Sequence, residues 1–271
     1  MTGWGDGLRL AVGTLTIVPV APPRTVDRRS GSWAMTFAPL VGLLLAVPAT
    51  ALLWLLGGTG TGLGDTDTAG ASPLLVATLT VGLLALLTRA IHLDGLADTV
   101  DGLGSGRPAE QALGIMRRSD IGPFGVVALV LVLALQVVAL AELVADGRGA
   151  PAVTCALVLS RLTLPAMCAR GIPAARGDGL GRAVAGTVSA AQLALAVSVV
   201  VLVAATTVLT ASAPVDAGVL VRVGAVTVLA LAAGAGMCLW CVRRLGGVTG
   251  DTMGACVEAT FTVALVAHSL M

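Results

Sequence analysis

Long apolar stretches, separated by short polar connections, dominate this chain. A membrane-crossing helix needs about 20 mainly apolar residues. Seven stretches meet this requirement, at 34–56, 72–91, 122–145, 150–168, 188–211, 217–241 and 254–271. Residues 4–20 are also apolar, but they are Gly-rich and include Asp6 and Arg9, which is typical of a helix at the membrane interface. The pattern predicts one all-α domain over 1–271, a polytopic membrane bundle of about seven transmembrane helices plus an N-terminal interfacial helix.

The composition supports a membrane protein and excludes two other classes. Hydrophobic residues make up 56% of the chain and charged residues 11%, whereas about a quarter of the residues of a soluble domain are charged. So few charges argue against a soluble enzyme. The net charge is +1, and the basic residues, all of them Arg, are dispersed along the chain. A nucleic-acid-binding surface is therefore not expected.

Arginines are concentrated in alternate connections between the apolar stretches. They cluster in the N-terminal segment and in 89–121, 169–187 and 242–253, while 57–71 contains none. Cytoplasmic loops of membrane proteins are enriched in Arg and Lys. The distribution predicts that the Arg-containing segments face the cytoplasm, that the C-terminus lies outside, and that the protein resides in the cytoplasmic (inner) membrane.

Carboxylates near a predicted membrane surface indicate where chemistry takes place. Asp94, Asp98 and Asp101 are spaced i, i+4 and i+7, which places them on one face of a helix. Three like charges repel each other, and hard oxygen ligands favour Mg²⁺ or Mn²⁺ over zinc. The spacing predicts a metal-dependent phosphate site. The alternative is that the Asp-Gly pairs at 94–95 and 101–102 form turns or helix caps.

A second acidic stretch, GGVTGDTMGA at 246–255, lies on the same predicted side of the membrane. It contains Asp251, and Glu258 follows seven residues later on the same helical face. The small residues around Thr249 and Gly250 allow close approach of a neighbouring helix or of a phosphate group. We expect Asp251 to complete the site, with Glu258 a weaker candidate because it lies about two turns deeper.

Three further residues are candidates for the same site. His92, beside Asp94, is suited either to bind a ligand or to orient a carboxylate. Arg117 follows the first acidic stretch, and Arg161 lies in the apolar run LVLSRL. A buried guanidinium requires an anionic partner. That partner is either a protein carboxylate or a substrate phosphate.

Five motifs of the chain together resemble one enzyme family. They are HLDGLADTVDGL, IMRRSDIGPFG, the Ser160-Arg161 pair, GDGLG and GGVTGDTMGA. In order and approximate spacing, over nearly the whole chain, they resemble adenosylcobinamide-GDP ribazoletransferases, also called cobalamin synthases. The combination of HLDGLADTxDG with GGxTGD is more specific than either motif alone.

The resemblance implies a membrane enzyme that requires Mg²⁺. In the implied reaction, a ribose hydroxyl of α-ribazole or its 5′-phosphate attacks adenosylcobinamide-GDP, giving GMP and adenosylcobalamin or its 5′-phosphate. We assign metal binding to Asp94, Asp98, Asp101 and Asp251, catalysis to Asp94, Asp98 and His92, and substrate binding to Arg117, Arg161, Thr249 and Gly250. The expected partners are these two substrates and the lipid bilayer, with a homo-oligomer as a further possibility.

The closest alternative function is that of a related phosphotransferase, and an alternative from a different class is transport. A CDP-alcohol phosphotransferase of lipid synthesis performs analogous chemistry, but its signature requires Ala-Arg where this chain has Asp98-Thr99 after Asp94-Gly95-Leu96-Ala97. A transporter also uses several spans with intramembrane acids. Against a transporter, the acids of this chain cluster near the predicted cytoplasmic ends and not at the midplane.

Overall fold

The computed structural model describes residues 3–57, 71–118, 120–209 and 217–271. Their regular secondary structure is α-helical, apart from two isolated β-bridges. The helices are α1 (Trp4–Leu15), α2 (Arg28–Thr36), α3 (Ala38–Leu56), α4 (Pro73–Leu87), α5 (Ile91–Gly104), α6 (Ala109–Ile115), α7 (Pro123–Ala145), α8 (Gly149–Met167), α9 (Gly179–Val184), α10 (Ala190–Leu209), α11 (Ala217–Leu245) and α12 (Gly250–Leu270).

The predicted polytopic helical bundle is confirmed. Within the described residues, six helices are long and apolar enough to cross a membrane, namely α3, α7, α8, α10, α11 and α12. The predicted span 188–211 corresponds to α10, and its last two positions lie outside the described residues. The predicted span 72–91 differs, because α4 ends at Leu87 and is bent by 88° relative to α5. A seventh span results only if this bent pair is counted as one.

The bend between α4 and α5 forms at two residues with left-handed backbone conformation. Arg89 and Ala90 have φ angles of 54° and 55°, a conformation that is uncommon outside glycine. The Arg89 guanidinium donates hydrogen bonds of 3.0 Å to the carbonyl oxygens of Gly13 and Thr14 at the end of α1. The end of a helix favours a positive charge, and this contact helps hold the turn. Helix α5, which contains the acidic residues, therefore runs nearly perpendicular to α4.

The N-terminal segment forms α1 and then turns back over it. The helix ends at Leu15, and the chain that follows is not helical until α2. Asp6 accepts hydrogen bonds from the backbone N–H of Arg24 and from the hydroxyl of Thr25. These bonds hold the returning segment against the first turns of α1, and they lower the pKa of the Asp6 carboxyl, the Arg24 N–H contributing most.

Helices α8 and α12 lie at the centre of the bundle. Every residue of α8 from Cys155 to Pro165 is buried, and α12 is buried without interruption from Thr252 to Glu258. The peripheral helix α7 instead exposes large apolar side chains such as Val130 and Leu131, as expected of a surface that faces lipid. Since α5 packs against α12, the acidic helix is attached to this central pair.

The Arg-containing connections meet at one end of the bundle. Pro173 and Ala175 exchange backbone hydrogen bonds of 2.9 and 3.0 Å with Val248, which joins the 169–187 and 242–253 connections. The guanidinium of Arg28 donates to the carbonyl oxygens of Arg182 and Ala185, each at 2.7 Å. The Arg-containing segments at 169–187 and 242–253 and the start of α2 therefore lie together, as the sequence predicts.

Candidate active site

Two glycines allow α5 and α12 to approach until their backbones touch. A Cβ atom on Gly95 would lie 2.7 Å from the carbonyl oxygen of Asp251, and one on Gly254 would lie 3.0 Å from that of His92. No larger residue fits at Gly95 without movement of the opposite backbone. Because Gly95 lies beside Asp94, the contact brings the two acidic stretches together, as the sequence predicts.

Three carboxylates occupy the junction of these helices. Asp94 is exposed, while Asp98 and Asp251 are partly buried. Asp98 lies within electrostatic range of both other carboxylates. Negative charges at this range repel each other. The junction is therefore an acidic surface that a cation would stabilise.

Arg176 supplies the positive charge that sequence reasoning did not assign to the site. Its Nη1 lies 3.4 Å from Oδ2 of Asp251, and its Nη2 donates a 2.9 Å hydrogen bond to the carbonyl oxygen of Leu113. The side chain is 15% exposed. In the sequence, Arg176 is one of three arginines in the 169–187 connection, with Arg170 and Arg182, and no local signal separates it from the other two. Its contact with Asp251 is visible only in the structure.

Asp101 points to a different partner from the other acids of α5. Its carboxylate accepts hydrogen bonds from the backbone N–H of Gly122 at 2.7 Å and of Gly125 at 2.9 Å. It therefore caps the N-terminus of α7, which has no capping side chain of its own. A Cβ on either glycine would come within 2.4 Å of this carboxylate. The geometry corresponds to the helix-cap alternative and argues against the metal-ligand assignment of Asp101.

Substituting Asp101 should reduce stability more than substituting Asp94. Asp101→Ala leaves the buried N–H of Gly125 unpaired, at a cost of about 1–3 kcal/mol, and also removes the acceptor of the partly buried Gly122 N–H. Asp94, in contrast, is exposed. We expect a lower midpoint of thermal unfolding in detergent for Asp101→Ala, an intermediate midpoint for Asp101→Asn, and little change for Asp94→Asn. An unchanged midpoint for Asp101→Ala, with weakened Mg²⁺ binding, would instead restore Asp101 to the metal shell.

His92 lies inside the bundle and not beside the carboxylates. Two helical positions correspond to about 200° of rotation, so His92 and Asp94 occupy opposite faces of α5. The His92 side chain is 4% exposed, and neither ring nitrogen has a hydrogen-bond partner among the described residues. Its electrostatic neighbour is Arg161. This placement argues against the catalytic role assigned to His92.

Arg161 belongs to a buried polar cluster in the interior. Its Nη1 donates to the Ser160 hydroxyl at 2.9 Å, and Glu258 is its electrostatic partner. Both residues line a cavity of about 20 Å³, enough for about one water molecule. Glu258 also accepts a 2.8 Å hydrogen bond from Gln136. Of the two partners expected for Arg161, the structure favours the protein carboxylate over a substrate phosphate.

The other assigned substrate-binding residues lie at the Arg-rich end of the bundle. Arg117 is exposed and donates from Nη2 to both carboxylate oxygens of Asp178, at 2.5 and 2.7 Å. Thr249 is the N-cap of α12 and forms a reciprocal capping box with Thr252. Gly250 begins α12 beside Leu180. Thr249 therefore has a structural role as the N-cap of α12. Its role in substrate binding stays a prediction.

The carboxylates at the junction suit Mg²⁺ although they do not form a complete cage. Among the described residues, no three His, Cys, Asp or Glu side chains form a preassembled metal-binding group. Mg²⁺ ordinarily uses one or two protein carboxylates and completes its shell with waters and substrate phosphates. An open, oxygen-only surface made by Asp94, Asp98 and Asp251 fits that pattern.

Comparisons with known proteins bear on the whole chain. The profile of the cobalamin-5-phosphate synthase family matches residues 7–269. The chain belongs to the cobalamin-5-phosphate synthase family. Among its relatives are three proteins named adenosylcobinamide-GDP ribazoletransferase. That of a Nocardioides species is 41% identical over 97% of each chain, that of Frankia casuarinae is 38% identical over 97% of this chain and 94% of its own, and that of Sinorhizobium medicae is 36% identical over 98% and 97%.

Membership of the cobalamin-5-phosphate synthase family makes the chain an enzyme of the transferase class. It favours the cobalamin-5-phosphate synthase family over the CDP-alcohol phosphotransferase and over the transporter. No solved structure matches the chain.

Proposed function

We propose that this chain catalyses the Mg²⁺-dependent transfer of a cobinamide phosphate to α-ribazole or α-ribazole 5′-phosphate. The phosphate donor is adenosylcobinamide-GDP, and the products are GMP and adenosylcobalamin or its 5′-phosphate. Two observations support the proposal. The first is the family match over residues 7–269, and the second is the convergence of acidic residues from α5 and α12 across the Gly95 contact.

The reaction exchanges one phosphorus–oxygen bond for another. The ribose hydroxyl oxygen bonds to the cobinamide-linked phosphorus, while the bond from this phosphorus to the bridging oxygen breaks and GMP leaves with that oxygen. One of the junction carboxylates accepts the hydroxyl proton. Negative charge grows on the bridging oxygen as it leaves, and the cationic Arg176, held beside Asp251, is placed to stabilise a phosphate there.

Asp94, Asp98 and Asp251 would hold the metal in this proposal. Bound Mg²⁺ supplies positive charge to the attacking and leaving oxygens of a phosphoryl transfer. The chain's own contribution is to hold these carboxylates on one surface, through the close packing of α5 against α12 at Gly95 and Gly254. This close packing keeps the carboxylates in place without substrate, which reduces the entropy cost of reaching the reactive geometry.

We further propose that the acidic junction faces the cytoplasm of an inner (cytoplasmic) membrane. The support is the convergence of the Arg-containing connections at the same end of the bundle as the junction, together with the cytoplasmic bias of such loops. A homo-oligomer is compatible with this arrangement and stays part of the proposal. Glu110 is exposed at this end, so the variant Glu110→Cys tests the orientation. In intact cells, a thiol reagent that does not cross the membrane should leave this cysteine unlabelled.

A reconstituted assay tests the proposed reaction directly. Purified protein in lipid nanodiscs, supplied with adenosylcobinamide-GDP, α-ribazole and Mg²⁺, should release GMP and form the joined corrinoid in equal amounts, as measured by chromatography. Chelation by EDTA should abolish both products, and added Mg²⁺ should restore them. Comparing kcat/KM for α-ribazole and its 5′-phosphate identifies the preferred acceptor. GMP formation that persists in EDTA, or CMP release from a CDP-lipid, would contradict the proposal.

A further inference from the structure

A second polar cavity lies at the Arg-rich end of the bundle, outside the acidic junction. Its volume is about 630 Å³, which is within the range of small-molecule sites. The cavity is formed by α2, the start of α10 and the connection that precedes α10. We call it the arginine pocket, because its wall includes Arg28, Arg29 and Arg170.

Within the described residues, no ion pair neutralises the positive charge of the arginine pocket, and Asp27, at the N-cap of α2, is a carboxylate within electrostatic range of Arg29. No Asp or Glu lines the cavity, and none of its three arginines has a carboxylate within 4.0 Å in the described part of the chain. Arg28 is held by two carbonyl oxygens, those of Arg182 and Ala185. Carbonyl groups fix its direction but leave its charge, so three guanidinium groups share one open cavity. An anion would relieve their mutual repulsion.

Neutral groups of the wall are arranged to favour an acceptor-rich ligand. The amide oxygen of Gln192 accepts hydrogen bonds from Ser32 and Ser189, each within 3.1 Å. These bonds orient the amide, and its nitrogen, a donor, has no acceptor among the described residues. Trp33 adds an apolar surface and stacks on Phe37 with ring centroids 5.4 Å apart. Fixed donors, Arg forks and an aromatic wall are the elements of a phosphate-binding pocket.

Helix α9 separates the arginine pocket from the acidic junction. On one side Gly181 packs against the backbone of Val248 and Thr249, beside the start of α12. On the other side Val184 packs against Gly31 of α2, next to the pocket arginines. The two sites have opposite charge and separate walls. A ligand of the pocket therefore does not need the carboxylates of the junction.

We propose that the arginine pocket binds the phosphate group of a phosphorylated ligand, with Arg29 and Arg170 contacting the phosphate oxygens. Arg28 adds positive charge from a fixed position. The phosphate belongs either to a soluble phosphomonoester or to an anionic phospholipid headgroup, and the experiment below distinguishes these sources. The proposal does not depend on the transfer reaction, so each can fail without the other.

The soluble source is tested by binding to protein in phosphatidylcholine nanodiscs. Inorganic phosphate and ribose 5-phosphate are titrated while tryptophan fluorescence, which includes Trp33 in the pocket wall, is recorded. The double variant Arg29→Gln/Arg170→Gln should raise the Kd at least about tenfold, because two charge-assisted hydrogen bonds are lost. The matched control Arg107→Gln removes an exposed arginine that does not line the pocket and should bind as the unmodified chain does. Asp94→Asn should also bind normally.

The lipid source is tested by adding phosphatidylglycerol to the nanodiscs. The thermal midpoint should then rise for the unmodified chain and for Arg107→Gln, but not for Arg29→Gln/Arg170→Gln. Arg29→Lys/Arg170→Lys keeps the charge and should retain part of whichever response is seen, which separates lost binding from misfolding. If neither ligand source produces a response, or if Arg107→Gln weakens the response as much as the double variant, the proposal is overturned.

Discussion

Asp98→Asn and Asp94→Asn should abolish transfer while the protein stays folded and inserted. Each change removes a charged ligand from the surface proposed to hold Mg²⁺. Metal stabilisation of a phosphoryl-transfer transition state amounts to several kcal/mol, and about 4 kcal/mol corresponds to about a 10³-fold loss of rate. We expect a decrease of at least this size in GMP release by protein in nanodiscs.

The stability of Asp98→Asn provides a readout that is independent of activity. Asp98 lies among other carboxylates, so removing its charge should raise the thermal midpoint of the metal-free protein slightly. Mg²⁺ should raise the midpoint of the unmodified chain, because a ligand that binds only the folded state stabilises it, and should do so less for Asp98→Asn. Glu110→Gln, an exposed change in nearby α6, is the matched control and should behave normally. Near-normal turnover of Asp98→Asn would remove Asp98 from the site.

Gly95→Ala should reduce transfer about 100-fold although it adds a single methyl group. Its Cβ would lie 2.7 Å from a backbone oxygen of α12 and 3.0 Å from the Cα of Asp251. Neither atom belongs to a flexible side chain, so α5 and α12 must move apart. Overpacking of this kind costs about 1–3 kcal/mol of stability, and a displacement of about 1 Å at a reaction centre can cost about 100-fold in rate.

The matched control for Gly95→Ala is Gly114→Ala. A Cβ on Gly114, in α6, meets no atom within 4 Å, so the same chemical change should leave turnover intact and should not lower the thermal midpoint. Gly95→Val should lower both quantities further than Gly95→Ala. Full activity of Gly95→Ala would mean that the spacing of the acidic stretches does not govern the reaction, and the proposed site would lose its main support.

The local pattern of the sequence was sufficient to predict most of the fold. Apolar runs of about 20 residues form helices in a membrane regardless of their neighbours, since backbone polar groups there must bond within the helix. The predicted spans at 122–145 and 150–168 accordingly match α7 and α8 to within one residue. The turn at Arg89 and Ala90 was not predicted, because nothing local in these two residues favours a left-handed backbone. It depends on Arg89 reaching the end of α1.

The acidic triad of α5 shows where helical spacing stops being informative. Asp94, Asp98 and Asp101 do share one face, as predicted, but Asp101 lies about two turns beyond Asp94 and meets the N-terminus of α7. Of three acids on one helical face, Asp94 and Asp98 thus belong to the proposed metal surface, while Asp101 caps the neighbouring helix α7. Periodicity specifies a direction around one helix axis and contains no information about which neighbouring helix lies there.

The amino-acid sequence alone determined the helical membrane fold, the grouping of the Arg-containing connections, the family motifs and the two acidic stretches. These properties follow from hydrophobicity and spacing, which are local. Only the tertiary structure decided that Gly95 and Gly254 join these stretches, that Arg176 pairs with Asp251, and that His92 and Arg161 turn into the interior. Such contacts join residues far apart in the chain, and they exist only because helix packing selects which faces meet.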